Sequence, residues 1–263
     1  DKARREAARG LDVDILGRGE LERIAPWLGP QIIGAELCRD EGKLNPLTAN
    51  RLLRAVASAR GIGFVRDRIL AIDTGRSVDL RGELGRYSAD QVVVAAAWGS
   101  GALVQPLGLA MPTRAEPLHM NITEPAAAAI HHLVQHAERS ITLKQLQTGQ
   151  IVIGGGWPAR ARDGGGVPEV LGDSMLGNVA LAGTLVPGIG GLRVIRTWAG
   201  MNTTIDGKSV IGRIPGSPGV IVAVPGDAGY TLGPLCGRLA AEVASGCATT
   251  CDVGSYAPSR FTT

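Results

Sequence analysis

The sequence of 263 residues has few aromatic side chains, few cysteines and no long hydrophobic run. Its longest apolar runs, 92–98 and 219–224, fall far short of the roughly 20 residues that a bilayer-spanning helix needs, so any membrane contact is expected to be peripheral. Aromatic residues at 3% and a net charge of +3 offer little for base stacking or a basic patch, which argues against nucleic acid as a partner. The 44% hydrophobic content indicates a folded chain with a full core.

The four cysteines, Cys38, Cys236, Cys247 and Cys251, are too few and too scattered for a disulfide scaffold. We expect reduced thiols and a cytoplasmic protein, with peripheral contact at the inner membrane left open. His132 and His136 lie four residues apart in a stretch that we expect to be helical. Without an acidic or cysteine ligand nearby, a solvated face is favoured over a metal site.

Local signals predict alternating helices and strands, and therefore a mixed α/β fold. Asn45 as N-cap and Pro46 in the first turn predict a helix that runs to Gly61, and a second helix is predicted over 170–185. Apolar runs predict strands, buried in the case of 92–97, and polar alternation indicates an antiparallel sheet in the middle of the chain. The predicted strands are 31–38, 62–65, 69–73, 92–97, 118–123, 141–147, 150–153 and 193–199.

Residues 220–245 carry the most informative pattern in the chain. Val220 to Val224 predict a buried strand, 225–229 a tight turn and 235–245 a helix with Pro234 in its first turn. The free N–H groups of such a helix start favour an anion or a developing negative charge. Glycines in the turn let the backbone approach a flat ligand closely. A plain strand-to-helix connection without a ligand fits the pattern equally well.

Four motifs near the C-terminus, with two further upstream, form a recognisable set. They are Arg196-Thr-Trp198-Ala-Gly200, Asp206-Gly207, Val210-Ile-Gly212, Gly229-Tyr-Thr-Leu-Gly-Pro234, Gly154-Gly155-Gly156-Trp157-Pro158 and Thr142-Leu-Lys-Gln145. Together they resemble the FAD-dependent amino-acid and amine oxidoreductases, the superfamily of D-amino acid oxidase, glycine oxidase and sarcosine oxidase. The chain bears a particular likeness to bacterial opine oxidase and hydrogen cyanide synthase subunits.

The resemblance implies an FAD-binding layered α/β domain interleaved with an antiparallel-sheet substrate domain. We expect residues 46–100 and 196–263 to form the remainder of the FAD-binding domain, and residues 1–45 and 101–195 to form the substrate domain. The implied activity is dehydrogenation of an amine or amino-acid-like substrate by hydride transfer to flavin. Partner subunits of a heteromeric oxidase are a further implication. The alternative is a non-catalytic, degenerate or assembly subunit of a flavoenzyme complex.

The resemblance also implies which residues meet the cofactor and the substrate. The expected FAD contacts are Ile69, Ala95, Ala96, Trp98, Gly226, Asp227, Ala228, Gly229, Tyr230, Thr231 and Leu232. The expected substrate contacts are Trp198, Asn202, Tyr230 and Asp227. Trp198 is equally consistent with a core position. No general acid or base stands out, which suits hydride transfer from a neutral amine, where positioning matters most.

The chain also departs from the family pattern at several places. It has no G-x-G-x-x-G motif, so we expect the C-terminal part of a longer product, inactive alone and retaining FAD weakly or not at all. Ala97 stands where the family often has glycine. Asn202 and Asp227 stand where relatives have arginines that clamp a substrate carboxylate. Simple D-amino acids are therefore not expected as substrates, whereas a bulkier secondary amine remains open; the candidate substitute anchors are Arg114, Arg139 and Arg196.

Overall fold

The computed structural model describes residues 1–127 and 129–262. Within them the α-helices are α1 (Lys2–Ala7), α2 (Arg18–Ile24), α3 (Pro46–Ala59), α4 (Ser100–Val104), α5 (Gly172–Leu185) and α6 (Gly229–Ala244). The strands are β1 (Val13–Gly17), β2 (Gly34–Cys38), β3 (Ile69–Thr74), β4 (Val78–Gly82), β5 (Arg86–Ala89), β6 (Val92–Val94), β7 (Arg114–Thr123), β8 (Val134–Gln135), β9 (Thr142–Gln145), β10 (Ile151–Gly154), β11 (Val194–Thr204), β12 (Val210–Ile214) and β13 (Ser217–Val224). The mixed α/β class predicted from the sequence is confirmed.

The chain folds into two compact units, each built from two separate stretches of sequence. The first unit comprises Asp1–Ile62 and Pro117–Gly200, and the second comprises Gly63–Glu116 and the described residues from Met201 onward. Helix α3, which the sequence-based division placed with residues 46–100, belongs to the first unit. None of the helices in the described part of the chain combines the length and hydropathy needed to cross a bilayer.

The first unit is built around a sheet with the strand order β11-β7-β10-β9-β8. The pairings β7–β10, β10–β9 and β9–β8 are antiparallel, as the polar alternation predicts. Helix α5 packs on this sheet through apolar side chains that bury on both elements. The buried cluster contains Ile130, Ile141, Leu143, Ile151, Ile153, Leu181, Ala182, Leu185 and Val186.

Helix α3 begins as its sequence signals predict. The Asn45 side chain accepts hydrogen bonds from the Leu47 and Thr48 N–H groups, at 3.0 and 3.3 Å, and Pro46 occupies the first turn. These contacts satisfy donors that have no partner inside the helix. The helix nevertheless has no buried residue, so its stability within this chain depends on capping and propensity more than on packing.

The second unit contains the sheet β12-β13-β6 and the antiparallel meander β3-β4-β5. Strand β13 is antiparallel to β12 and parallel to β6. Its alternate side chains enter different apolar clusters: Val220, Val222 and Val224 pack in one, and Ile221 and Ala223 pack with Ala240 of α6 in another. A strand that is buried on both faces forms a continuous apolar run, which is why this one could be predicted.

Three local predictions are wrong. Residues 62–65 form no strand, and β6 ends at Val94 with Val93 44% exposed, so the buried strand expected over 92–97 is shorter and only partly covered. The stretch around His132 and His136 is not helical but leads into and out of β8. His136 Nδ1 accepts the N–H groups of residues 138 and 139, both at 3.0 Å. The helical i, i+4 face assumed for a metal site is therefore not formed.

Candidate functional site

The turn between β13 and α6 lies at the carboxyl edge of the second unit's sheet. Val220 and Val222 pair in parallel with Val92 and Val94, so the segments that follow β13 and β6 leave from the same edge. Ligands of open α/β sheets bind outside the carboxyl ends of strands. The topology therefore brings the predicted cofactor contacts at residues 95–98 and 226–232 to one edge of the sheet.

The turn contains a glycine with positive φ, and the helix that follows it receives no cap from its N-cap side chain. Gly226 is buried and has φ +71°, a conformation that side-chain-bearing residues rarely adopt. A short 3₁₀ turn follows, and α6 then starts at Gly229, with Ala228 as N-cap and no side-chain hydrogen bond to the first turn. The N-cap residue Ala228 thus supplies no side-chain cap to α6, and residues 227–232 are exposed.

Helix α6 starts six residues earlier than the pattern predicted, at Gly229 and not at Leu235. Pro234 consequently lies inside the helix and not in its first turn. Proline has no N–H to donate, so one backbone hydrogen bond near the start of this helix is missing. The exposed first turn is therefore made of Gly229, Tyr230 and Thr231, which belong to the predicted cofactor set.

A cavity of about 370 Å³ lies beside this turn. It is bounded by the turn on one side and by the loop between β11 and β12 on the other; the lining residues are Thr204, Ile205, Gly207, Lys208, Ser209, Pro225, Gly226, Asp227, Ala228 and Leu232. The turn is therefore not filled by packed side chains. A ligand could contact the backbone at Gly226 and Ala228 from this space.

The β11–β12 loop is held in place by an ion pair with the C-terminal segment. Arg260 donates from Nε and Nη2 to the two carboxylate oxygens of Asp206, at 2.8 and 3.0 Å, and Nη2 also donates to the Ser209 carbonyl at 2.9 Å. The guanidinium holds the pKa of Asp206 below its usual value. Ser209 Oγ in turn donates to the Pro225 carbonyl at 3.1 Å. Asp206 of the signature motif therefore fixes one wall of the cavity.

Two carboxylates meet the amide of Asn202. Its Nδ2 donates to Glu116 Oε2 at 3.3 Å and to Asp227 Oδ1 at short range. Glu116 was not identified from the sequence, because it lies 86 residues before Asn202 and has no motif of its own. The place where relatives were expected to carry arginine thus contacts two carboxylates.

The segment after β6 contains an unusual backbone conformation at Ala97. With φ +51°, Ala97 is the one non-glycine residue with positive φ in residues 1–127 and 129–262. Hydrogen bonds fix the backbone on both sides of Ala97: Ser100 Oγ accepts the Ala96 N–H at 3.0 Å, and Thr113 Oγ1 donates to the Trp98 carbonyl at 2.7 Å. The frequent family glycine expected at this position matches the backbone that the fold requires.

The remaining predicted residues lie elsewhere. Ile69 is half-buried at the start of β3 and packs against the main apolar cluster of the second unit. Trp198 is half-buried on β11 in the first unit, and the Arg196 guanidinium lies 5.8 Å from its ring centroid. Arg114 is exposed at the start of β7 and Arg139 is exposed beyond β8. Among the described residues, no group of three or more His, Cys, Asp or Glu could hold a metal ion.

Comparison with known proteins identifies the family. Residues 1–243 match the family described as FAD dependent oxidoreductase. The chain belongs to this family of FAD-dependent oxidoreductases. It is 26% identical over 221 residues to an opine oxidase subunit of Rhizobium meliloti, covering 81% of this chain and 56% of that protein. It is 26% identical over 231 residues to glycine oxidase of Bacillus subtilis (strain 168), covering 83% of this chain and 58% of that protein.

Solved structures show the same fold. L-proline dehydrogenase from P. horikoshii superposes with a TM-score of 0.88 at 20% identity, covering 97% of this chain and 70% of that one. Glycine oxidase from Geobacillus kaustophilus gives a TM-score of 0.85 at 20% identity, covering 98% of this chain and 70% of that one. The chain spans about half the length of the curated relatives that it matches. The family and fold expected from the motifs are therefore confirmed.

The cofactor of this family is FAD, and the turn fits part of it. A flat ring system needs backbone that it can approach closely and donors that are not already capped, and the β13–α6 turn offers both. The glycine-rich motif that would bind the pyrophosphate is not present in residues 1–263. The fit is therefore to the flavin ring and not to the dinucleotide phosphates.

Proposed function

We propose that this chain supplies the flavin-facing turn of an FAD-dependent amine or amino-acid oxidoreductase. The observation that carries the proposal is the uncapped first turn of α6 at the carboxyl edge shared by β6 and β13. We assign this role to the second unit. When bound, FAD would accept a hydride from the carbon that bears the substrate nitrogen.

The amides of α6 act as fixed electrostatic partners. The N–H groups of the first turn of a helix have no i−4 acceptor inside that helix, and in α6 this turn begins at Gly229. A helix start carries about half a positive charge. These donors stabilise negative charge that builds up on the adjacent ring system, and they need no reorganisation to do so. The proposed contacts of Ala95, Ala96, Trp98 and Ile69 are to the same cofactor.

The side chains around Asn202 favour a substrate without a free carboxylate at this point. Glu116 and Asp227 both accept from the Asn202 amide, so a carboxylate placed here would meet two like charges. An amine or ammonium group would meet two acceptors. We propose Asn202 and Asp227 as contacts for a basic or secondary amine, with Tyr230 as an apolar contact.

A second candidate is an assembly role. Two relatives from Rhizobium meliloti are named as subunits, one of opine oxidase and the other the beta chain of sarcosine oxidase, and the replacement of arginine at Asn202 favours loss of the amino-acid reaction. Under this candidate the protein belongs to a heteromeric flavoenzyme but does not itself oxidise an amine. Flavin reduction in the isolated protein distinguishes it from the enzyme.

The test uses the protein expressed from its complete natural gene. After purification, its visible flavin absorbance is recorded, and amines with and without an α-carboxylate are added without oxygen. We expect a yellow protein that a secondary or basic amine bleaches faster than simple D-amino acids do. A flavin-bound protein that no amine bleaches supports the assembly role. A colourless protein with no measurable affinity for FAD overturns the proposal.

A further inference from the structure

The C-terminal segment of the second unit is held against strand β12 by apolar contacts. Pro258–Phe261 form a short 3₁₀ helix in which Pro258 is buried. Pro258 lies against Gly212 of β12, where an added Cβ would lie 2.9 Å from the proline Cδ. Phe261 packs against the main apolar cluster of the unit. These contacts fix the backbone on both sides of Arg260.

Arg260 is the residue of this segment that reaches the candidate site. Besides the bonds to Asp206 and to the Ser209 carbonyl, its Nη1 donates to the Ala257 carbonyl at 3.3 Å. The guanidinium also lies over the Phe261 ring, 4.4 Å from the ring centroid. A planar group with donors in fixed directions suits several such partners at once, which a lysine ammonium does not match.

One path from Arg260 to the β13–α6 turn runs through Asp206. The Asp206 carboxylate accepts from Arg260 and also accepts the Lys208 N–H at 3.3 Å. The Lys208 carbonyl lies 3.5 Å from the position that a Cβ on Gly226 would occupy. The backbone that Asp206 holds therefore packs directly against the glycine of positive φ in the turn.

A second path runs through Ser209, which is buried. The Ser209 carbonyl accepts from Arg260 Nη2 at 2.9 Å, and the Ser209 hydroxyl donates to the Pro225 carbonyl at 3.1 Å. Pro225 directly precedes Gly226, so both paths end at the start of the turn. All of these residues belong to the second unit.

We propose that Arg260 is a positioning residue for the cofactor: through Asp206 and Ser209 it sets the backbone of the β13–α6 turn and thereby the affinity of this turn for flavin. The inference rests on the proposed function, since it concerns the same turn. Lys208, Ser209 and Gly226 line the cavity beside the turn, whereas Arg260 does not. Its effect on the cofactor therefore passes through the β11–β12 loop.

The test is a titration with FAD of the flavin-stripped protein expressed from its complete natural gene. Arg260→Gln removes the charge, and Arg260→Lys keeps the charge without the planar fork. We expect Arg260→Gln to weaken FAD binding by about 2- to 30-fold, the range for residues that act on a site through intervening contacts. Arg260→Lys should fall between Arg260→Gln and the parent. Without flavin, amide hydrogen exchange over 204–209 and 225–232 should be faster in Arg260→Gln than in the parent.

Arg193→Gln is the matched control. Arg193 donates from Nε and Nη2 to the Glu124 carboxylate at 3.0 and 2.7 Å, as Arg260 does to Asp206, but it lies in the first unit. Arg193→Gln should leave both the FAD affinity and the hydrogen exchange of these two ranges unchanged. The Asp206→Asn/Arg260→Gln double variant should weaken FAD binding no more than Arg260→Gln alone, because the two residues act as one pair.

The inference is overturned if Arg260→Gln binds FAD as tightly as the parent, or if Arg193→Gln weakens binding as much. Additive losses in the double variant overturn it too. If Arg260→Gln does not fold, Arg260→Lys decides, and an affinity equal to that of the parent overturns the inference. A parent protein without affinity for FAD overturns the proposed function as well, whereas a flavin-binding parent that is insensitive to Arg260 overturns this inference alone.

Discussion

Replacing Gly229 by proline removes one amide donor from the start of α6 and changes little else. Gly229 is the first residue of the helix and has φ −49°, close to the angle that proline imposes. Proline is favoured at this helical position because the N–H that it lacks has no partner inside the helix. A Cβ added at Gly229 would meet no atom within 4 Å. The substitution therefore tests the donor and not the fold.

The expected effect follows from the charge on the acceptor. A hydrogen bond to a charged group contributes about 1.5–3 kcal/mol, whereas one between neutral groups contributes about 0.5–1.5 kcal/mol. The oxidised ring is neutral and the reduced ring gathers negative charge. Gly229→Pro should therefore weaken the binding of reduced flavin by about 10- to 100-fold and the binding of oxidised flavin by less. The difference, about 1–2 kcal/mol, lowers the two-electron potential by roughly 20–40 mV.

Gly229→Ala is the matched control. It adds a methyl group into open space and keeps the N–H, so the potential should stay within a few millivolts of the parent. The assay is a spectroscopic redox titration of the purified gene product, with melting temperatures showing that all three proteins are folded. If the proline and alanine variants have the same potential, the amide at 229 does not face the flavin and the proposed role of this turn is wrong.

Four further substitutions test the fold. Gly177→Ala should lower the melting temperature, because the new Cβ would lie 2.5 Å from the Trp157 ring, a clash that costs about 1–3 kcal/mol. Gly183→Ala in the same helix should raise the melting temperature, because alanine gains about 0.5–1 kcal/mol of helix propensity over glycine. Equal effects would contradict the packing of α5. Ala97→Gly should stabilise by about 0.5–1 kcal/mol, since relief of left-handed strain exceeds the added entropy of the unfolded chain; a less stable variant in urea unfolding would refute this. Hydrogen bonds from the Thr250 side chain and N–H lower the pKa of Glu242 from 4.5 to about 2, so its contribution is present above pH 4.5 and lost as the pH falls towards 2. Glu242→Gln should flatten the pH dependence of the urea unfolding midpoint over that range. An unchanged pH dependence would count against the contact between Glu242 and Thr250.

Elements with strong local signals could be predicted from the sequence. Helix α3 begins where Asn45 and Pro46 indicate, because capping is decided within four residues. Strand β13 was predictable because a strand covered on both faces leaves an uninterrupted apolar run. The C-terminal end of α6 was likewise correct, with Gly246 just beyond it at φ +69°.

Elements whose local preference is overridden by packing could not be predicted in the same way. The first six residues of α6 contain Gly229, Gly233 and Pro234, a composition that argues against helix. The helix forms there because its later turns pack Cys236 and Leu239 against Ile211 of β12. The sequence therefore placed the turn correctly but put the helix start too late. The helix expected around His132 failed for the opposite reason, because pairing of β8 with β9 requires extended chain.

The candidate site was predictable only where it is continuous in sequence. Residues 226–232 form one motif and stand at one turn, so pattern and structure refer to the same residues. Glu116 and Lys208 come to the site from distant strands and loops, and no spacing rule connects them to Asn202. The pairing of Arg260 with Asp206 is of the same kind, since 54 residues separate the two side chains.

Two unusual backbone positions follow the two parallel strands of the second unit. Gly226, just after β13, has φ +71°, and Ala97, three residues after β6, has φ +51°. Left-handed backbone at alanine costs about 1–2 kcal/mol, and such strain persists where the surrounding structure or a function requires it. Strand order places both positions at the carboxyl edge of the sheet, where α/β proteins bind their ligands. The strain at Ala97 and the uncapped amides of α6 are independent observations, and each favours this edge as the surface that the cofactor uses.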